Sequence, residues 1–240
     1  MTTQNFEVES IKRSLTSAMN NPPSSPPNNQ KKEGLRVLFP TLIYEAWYQN
    51  YQAKKESLVS FNHKLRDEDT EGQRISAAQY PNGYTSYYSR TDLYKLPELA
   101  ELVAFLYKCA DNFAHQHHWD TQNFEPVINA LFTNINSKFS GHAEHLHPYS
   151  HISGVFYVKS EVGSPAISFK DPRMGRWMMP PAADGNRAEN TFHANILPDE
   201  GKLLMFPSWL EHGVPPNQLD SERISMSFNF EMQPKPKSES

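Results

Sequence analysis

Apolar positions in the N-terminal half of the chain recur at the spacing of a helix. They form one stripe across residues 96–118, and Pro97 stands where a proline suits the first turn of a helix. A weaker stripe across residues 47–67 predicts a second helix. Residues 68–90 are polar and rich in Tyr, Gly and Ser, so we expect irregular structure there. The longer stripe consists of Leu99, Leu102, Val103, Leu106, Tyr107, Ala110 and Phe113.

The C-terminal half shows short apolar runs separated by Pro, Gly, Asn and Asp, which predict antiparallel strands. An earlier strand is predicted at residues 35–44, interrupted by Pro40. Helices followed by many short strands indicate an α+β fold. We expect a jelly roll, the double-stranded β-helix of cupin-like barrels, with the N-terminal helices packed on it. The strands predicted after residue 126 are 127–139, 143–147, 152–159, 165–169, 191–196, 202–206 and 223–231.

The two ends of the chain lack the apolar residues of a core. Residues 20–34 are rich in Pro, Asn and Ser, and residues 233–240 are similarly polar. We therefore expect a flexible N-terminal arm at 1–34 and a tail at 233–240. Between them we expect a single domain, 35–232, in which residues 35–125 are mainly helical support and 126–232 form the jelly-roll core.

Composition excludes several kinds of partner. The net charge of −4 argues against nucleic-acid binding, and no apolar run is long enough to span a bilayer. Residues 1–19 lack the pattern of a secretion signal. Cys109 is the only cysteine, so an intrachain disulfide is excluded, which fits a reducing compartment. We expect a cytoplasmic protein.

The last predicted strand alternates strictly between polar and apolar residues. On an edge strand the polar row would face water, whereas in the mouth of a barrel it would line the interior. The donor fork of Arg223 suits a carboxylate held by two parallel hydrogen bonds, and Ser225 on the same face can add a third. The polar row is Arg223, Ser225, Ser227 and Asn229; the apolar row is Ile224, Met226, Phe228 and Phe230.

Three histidines in this half have the pattern of metal ligands. His145 and His147, at positions i and i+2, share one face of a strand. His212, just after another apolar strand, can complete a facial set of three imidazoles. The histidines within 115–118 lie at the end of the long predicted helix, and we expect no metal there.

A competing set uses the opposite face of the same segment. His142 and Glu144, together with His212, would give two histidines and a carboxylate, the usual facial triad for non-haem iron. We favour His145 and His147 because a proline follows them directly and places them at a barrel rim, and because their spacing to the next strand fits a known pattern.

Four motifs follow one another in a fixed order. They resemble the iron- and 2-oxoglutarate-dependent oxygenase superfamily over residues 131–232. Within it they most resemble a group of bacterial and phage proteins that share a His-x-His-Pro motif. The motifs are His145-Leu146-His147-Pro148, Ser153-Gly154-Val155-Phe156-Tyr157, Phe206-Pro207 with His212, and Arg223-Ile224-Ser225-Met226-Ser227-Phe228-Asn229.

The resemblance implies an Fe(II) site in which His145 and His212 are ligands. It departs from the superfamily at His147, which occupies the place of the usual Asp or Glu. Three-histidine iron sites occur in cupin-type dioxygenases, so we expect His147 to be the third ligand. Three imidazoles would also suit zinc, nickel or copper, and His147 could instead be a proton-bearing neighbour of the metal. Glu144 or Glu211 could then orient an imidazole from outside the ligand set.

The resemblance also implies a site for 2-oxoglutarate. Arg223 would bind its distal carboxylate, with Ser225 and Tyr157 assisting. Asn134, upstream, falls where a further cosubstrate contact occurs, and Asn136 on the same strand face could serve in its place.

The implied activity is a dioxygenase that uses Fe(II), 2-oxoglutarate and O2, hydroxylates an unidentified small-molecule or protein substrate, and releases succinate and CO2. One alternative is a cupin-like three-histidine metalloenzyme that does not use 2-oxoglutarate, and another is a non-catalytic ligand-binding barrel. Arg173, in the segment 170–180 that could cover the site, is either a contact for an anionic substrate or a surface residue. Members of the superfamily often pair, so a homodimer is open, although no sequence feature requires one.

Overall fold

The structure, a computed structural model, describes residues 34, 36–178, 187 and 190–236. The chain divides into two units, Met1–Pro40 and Thr41–Ser240. The described part of the first unit contains neither helix nor strand. The arm predicted at 1–34 lies outside the described residues except for its last position, and so do residues 237–240 of the predicted tail.

Three α-helices lie within the described part of the second unit: α1 (Tyr51–Glu68), α2 (Thr70–Gln79) and α3 (Ala100–Gln116). The long predicted helix is confirmed as α3, although two short 3-10 turns, Leu93–Lys95 and Pro97–Leu99, precede it. None of the described helices is both long enough and apolar enough to cross a membrane.

The helix α2 corrects the prediction of irregular structure at 68–90. It has almost no apolar stripe, and only Gly72 and Ser76 of its residues are buried. The helix is instead stabilised by an N-cap, in which the carboxylate of Asp69 accepts a hydrogen bond of 2.9 Å from the backbone N–H of Gly72.

Ten strands, counted over the described residues, form two antiparallel sheets. The larger sheet has the order β1-β8-β5-β10-β3-β2, and the smaller has the order β4-β9-β6-β7. Together with the N-terminal helices they make the predicted α+β double-stranded β-helix. The strands are β1 (Tyr44–Trp47), β2 (Gly83–Thr85), β3 (Phe124–Asn136), β4 (His142–His145), β5 (Ile152–Lys159), β6 (Ile167–Lys170), β7 (His193–Ile196), β8 (Lys202–Pro207), β9 (His212–Val214) and β10 (Arg223–Pro234).

The prediction of a first strand at 35–44 was wrong. The strand is β1, which overlaps that range only at Tyr44 and takes in Trp47, the residue expected to begin a helix. It forms because residues 44–47 pair with residues 202–205 of β8, a partner distant in the chain. The strands β2 and β9 were not predicted either, because each is only three residues long.

The alternation along β10 separates two buried layers. Its apolar row joins the core formed with the helices, where Phe228 and Phe230 lie with Leu106 and Phe113 of α3. Its opposite row faces the smaller sheet, so the polar side chains of Arg223 and its neighbours line the space between the sheets. Of the two predicted alternatives, the polar row therefore lines the interior of the barrel and does not face water.

Gly154 allows the larger sheet to pack closely at its centre. A Cβ atom at this position would lie 2.4 Å from the ring of Phe228 and 2.5 Å from the carbonyl oxygen of Leu204. Only glycine fits such an approach, which explains the glycine of the second motif.

Candidate metal centre

Three histidines meet where β4 and β9 pair at one end of the smaller sheet. His145 ends β4 and His212 begins β9, and the two are paired directly across the strands. His147 follows two residues after the end of β4, where its backbone N–H donates to the carbonyl of Ser208 at 3.0 Å. One candidate ligand atom from each ring lies within 4.8 Å of the others. This spacing and donor set fit a single transition-metal ion.

Two of the imidazoles are oriented by backbone carbonyls. Nδ1 of His145 lies 2.8 Å from the carbonyl oxygen of Ala143, and Nδ1 of His212 lies 2.8 Å from that of Leu210. A carbonyl oxygen can only accept, so each Nδ1 carries the proton. Nε2 of both rings is left with a free lone pair, as a metal ligand requires.

The surroundings of His147 and His212 favour the neutral form of the imidazole, which is the form that binds metal. Burial, together with the neighbouring His212 and His145, lowers the pKa of His147 to about 3. Burial also lowers the pKa of His212 to about 4. Since a protonated imidazole cannot bind a cation, both rings are available as ligands at neutral pH.

The competing pair of His142 and Glu144 does not form a ligand set with His212. A β-bulge lies between His142 and His145, so the alternation of faces is broken along β4. His142 lines the same cavity as the three histidines, but Glu144 does not. The carboxylate of Glu144 is exposed and binds Lys170 Nζ at 3.1 Å.

Neither carboxylate expected to orient an imidazole does so. Glu144 also contacts His193 Nε2 at 3.0 Å, and Glu211 contacts Lys170 Nζ at 3.0 Å. The orienting acceptors of His145 and His212 are the backbone carbonyls. Short-range turns therefore take the role that the sequence suggested for acidic side chains.

A second group of predicted residues lies in one row across the larger sheet. Ser225 of β10 pairs with Tyr157 of β5 on one side and with Asn134 of β3 on the other. Arg223 pairs with Asn136 in the same way. The guanidinium Nη1 of Arg223 donates to Asn136 Oδ1 and to Ser225 Oγ, both at 3.3 Å. The strand register thus brings together the residues assigned to the cosubstrate.

Arg223 and Tyr157 have the properties of an anion site. Arg223 is 1% exposed and forms no ion pair with any described residue. Its Nε and the hydroxyl of Tyr157 are buried and have no hydrogen-bond partner within the described part of the chain. Burying such donors unpaired is costly, and a carboxylate would satisfy both.

Tyr157 also interacts with Arg223 through its ring, whose centroid lies 5.1 Å from the guanidinium carbon. Burial raises the pKa of Tyr157, and the positive charge of Arg223 opposes that rise. The phenol therefore keeps its proton at neutral pH and can donate it to an anion.

Asn134 lines the cavity, but most of its amide is already used. Its Oδ1 accepts from Thr85 Oγ1 at 2.8 Å, and its Nδ2 donates to Ser227 Oγ at 3.0 Å. One amide N–H is left for a ligand. A contact between Asn134 and the cosubstrate stays a prediction.

One cavity between the two sheets joins the histidines to the arginine. His145, His147, His212, Arg223 and Ser225 all line it. Apolar side chains complete its wall, and an apolar wall strengthens the electrostatic interactions of the polar groups beside it. These apolar residues are Phe132, Val155, Ile167, Phe206 and Val214.

Arg173 does not line this cavity. Its guanidinium is held by the carboxylate of Asp171 through contacts of 2.9 and 2.8 Å. In the segment 170–180, residues 179 and 180 lie outside the described part of the chain.

No sequence pattern indicates Tyr80 as a site residue. This residue follows α2 in a region expected to be irregular, yet its hydroxyl contacts both Asn136 and His142 beside the cavity. A contact over more than fifty residues leaves no local pattern, so only the fold reveals it.

Residues 130–229 match the family model described as "Putative 2OG-Fe(II) oxygenase". No curated protein matches the chain. Among solved structures, a Pseudomonas putida prolyl-4-hydroxylase is 12% identical with a TM-score of 0.53, over 80% of this chain and 92% of that one. The α-ketoglutarate-dependent carbocyclase SnoK of nogalamycin biosynthesis is 9% identical with a TM-score of 0.56, over 83% and 84% of the two chains.

HygX from Streptomyces hygroscopicus, solved with nickel, 2-oxoglutarate and hygromycin B, is 12% identical with a TM-score of 0.50, over 80% of this chain and 83% of that one. At such identities the likeness concerns the fold, which these enzymes share with the present chain. The family match covers the strands that carry His145, His212 and Arg223. Residues 130–229, which carry the candidate site, are therefore similar to the 2OG-Fe(II) oxygenase family.

Proposed function

We propose that this protein is an Fe(II)- and 2-oxoglutarate-dependent dioxygenase that hydroxylates its substrate. His145, His147 and His212 would hold the iron, and Arg223, Ser225 and Tyr157 would hold the distal carboxylate of 2-oxoglutarate. The substrate, a small molecule or a protein, is unidentified.

One observation carries the proposal: a buried arginine without a carboxylate partner shares a cavity with three clustered histidines. Arg223 has no ion pair among the described residues, and its Nε is without a hydrogen-bond partner there. The histidine cluster and Arg223 line the same space between the sheets. A ligand with a metal-chelating end and a distal carboxylate satisfies both features at once.

When bound, Fe(II) and 2-oxoglutarate supply the chemistry, in which O2, the oxo acid and the substrate are converted to succinate, CO2 and the hydroxylated product. The chain's own residues bind, orient and shield. The backbone carbonyls of Ala143 and Leu210 fix the tautomers of His145 and His212. The apolar wall excludes water, and Ser225 and the Tyr157 hydroxyl supply hydrogen bonds that fix the far end of the cosubstrate.

The third histidine changes the charge of the centre. With His147 in place of a carboxylate, the protein contributes no negative charge to a divalent ion. Arg223 adds a further positive charge in the same cavity. We therefore expect binding of the dianionic 2-oxoglutarate to be favoured strongly by electrostatics, and metal binding to be weaker before it binds.

The proposal is tested on protein purified without oxygen. Metal content is measured first, and 2-oxoglutarate is then titrated into the Fe(II) form. A new visible metal-to-ligand absorption band, and succinate formed after O2 is admitted, are the expected results. An Fe(II) form that gives neither the band nor succinate overturns the assignment.

The three neutral imidazoles also favour a second candidate, a cupin-like metalloenzyme that does not use 2-oxoglutarate. The two candidates differ at Arg223. If the second is right, replacing Arg223 by Leu leaves every ligand interaction of the metal form unchanged. If the first is right, binding of 2-oxoglutarate is lost.

A further inference from the structure

A chain of polar side chains connects Arg223 to the strand that carries His145. Arg223 Nη1 donates to Asn136 Oδ1 at 3.3 Å, and Asn136 Nδ2 donates to the hydroxyl of Tyr80. That hydroxyl also contacts Nε2 of His142, the first residue of β4. Tyr80 is 6% exposed and Asn136 is 0% exposed, so water competes little for these bonds.

Each hydrogen bond in the series from Arg223 to His142 has one allowed direction. A guanidinium can only donate, so Asn136 uses its oxygen for Arg223 and its amide N–H for Tyr80. The single proton of the Tyr80 hydroxyl then goes to His142, whose Nε2 accepts. Burial, together with the charge of Arg223, lowers the pKa of His142 to about 3, so the ring is a neutral acceptor.

These hydrogen bonds use only Nη1 of the guanidinium and leave Nε and Nη2 for a ligand. The Nη1 hydrogens go to Asn136 and Ser225, and no bond among the described residues uses Nε or Nη2. The rotamer of Arg223 is held by Asn136 and Ser225 at Nη1 and by the Tyr157 ring beside the guanidinium, and Asn136 is the one of these contacts that bonds to Tyr80.

We propose that Tyr80 and His142 are positioning residues, which hold the Arg223 guanidinium at the place where it receives the distal carboxylate of 2-oxoglutarate. Because His142 lies on β4, the chain of bonds also ties this carboxylate anchor to the strand that ends in His145. It thereby sets the separation between the metal-binding and carboxylate-binding ends of the cavity. The inference rests on the function proposed above.

A purely structural role for Tyr80 makes a different prediction. A loosened fold weakens every ligand of the cavity alike. A positioning role weakens only ligands that reach Arg223. Oxalate separates the two, since it chelates a metal through its carboxylates but has no distal carboxylate for Arg223 to bind.

The experiment uses the full chain loaded with Mn(II), titrated calorimetrically with 2-oxoglutarate and, separately, with oxalate. Tyr80→Phe is expected to weaken 2-oxoglutarate about tenfold, equivalent to about 1.4 kcal/mol. Oxalate is expected to bind unchanged. The matched control is Tyr84→Phe, because Tyr84 is also buried and its hydroxyl bonds to Asp69 at 2.8 Å, away from the cavity. That variant should bind both ligands as the unaltered protein does.

The outcomes are distinct. If the unaltered protein binds oxalate but not 2-oxoglutarate, the proposed function itself fails. If it binds both, and Tyr80→Phe either binds both fully or weakens both equally, the positioning role is overturned. Should circular dichroism show that Tyr80→Phe does not fold, His142→Phe removes the acceptor and keeps a ring. Full 2-oxoglutarate affinity in that variant overturns the role as well, and a selective loss supports it.

Discussion

His145 and His212 face each other across the β4–β9 pair, and their ring centroids lie 4.5 Å apart. Backbone pairing therefore sets the distance between two of the candidate ligands before any ion binds. His147 lies beyond the end of β4, with ring centroids 5.0 Å from His145 and 5.2 Å from His212. Its position depends on a turn, so its contribution is the one that most needs a test.

Replacing His147 by Ala should lower the affinity for Zn(II) or Mn(II) by at least about tenfold, because it removes one of three ligands. Titration calorimetry of the metal-free protein measures the effect. The matched control is Glu144→Gln, which alters a carboxylate held by Lys170 outside the cavity and should leave the affinity unchanged. The opposite pattern would mean that a carboxylate, and not His147, completes the site.

Replacing Arg223 by Leu should abolish binding of 2-oxoglutarate and spare metal binding. It should not lower the thermal midpoint of the ligand-free protein, because an unpaired buried charge is exchanged for an apolar side chain of smaller size. Differential scanning calorimetry and 2-oxoglutarate titration measure the two effects. Arg173→Leu serves as the control, since Arg173 pairs with Asp171 and does not line the cavity. Intact 2-oxoglutarate binding by the Arg223 variant would exclude the assigned carboxylate site.

The metal-free protein should lose stability as the pH falls from 7.5 to 5.5. The folded-state pKa values of His147 and His212, about 3 and about 4, lie below their ordinary value of 6.5. The unfolded chain therefore takes up these protons first, so stability is complete above pH 6.5 and decreases below it. Urea unfolding in the presence of a chelator measures the midpoint at each pH. A His147→Gln variant should show a smaller decrease, and an equal decrease would contradict this cause.

Replacing Asp69 by Ala should destabilise the protein by about 1 to 2 kcal/mol, as expected for the loss of a helix N-cap. Asp69 caps α2 through Gly72 and also accepts from the hydroxyl of Tyr84. Urea unfolding measures the change. Asp67→Ala is the control, because Asp67 is exposed and its carboxylate pairs, among the described residues, only with Arg66, so its loss should have little effect. Equal effects of the two substitutions would show that the cap contributes nothing specific.

Much of the fold follows from local patterns. The stripe on α3 and the strict alternation from Arg223 to Phe230 predict which side chains face a core, because a helix or strand has a fixed period. Those predictions are confirmed where the helices pack on the apolar row of β10. The helix α2 was missed because its residues bury little, and its only marker is a single capping carboxylate.

The candidate site, like the fold, could be predicted only in part from the sequence. The order of the histidines, the Arg-x-Ser pair and Tyr157 is visible in the sequence. The structure places the histidines, Arg223 and Ser225 around one cavity and pairs Tyr157 with Ser225 in the larger sheet. The sequence left two ligand sets open, one with His147 and one with Glu144. A strand pattern cannot choose between them, since it assumes an unbroken alternation of faces.

The sequence by itself therefore determined the fold class, a set of candidate site residues and the face of β10 on which Arg223 lies. Only the tertiary structure shows that a ring nitrogen of His147 lies within 4.8 Å of those of His145 and His212, and that the Tyr80 hydroxyl contacts His142. The physical reason is that periodicity is a property of neighbouring residues. The bulge in β4, its register with β9 and the contacts of Tyr80 depend on segments far apart in the chain.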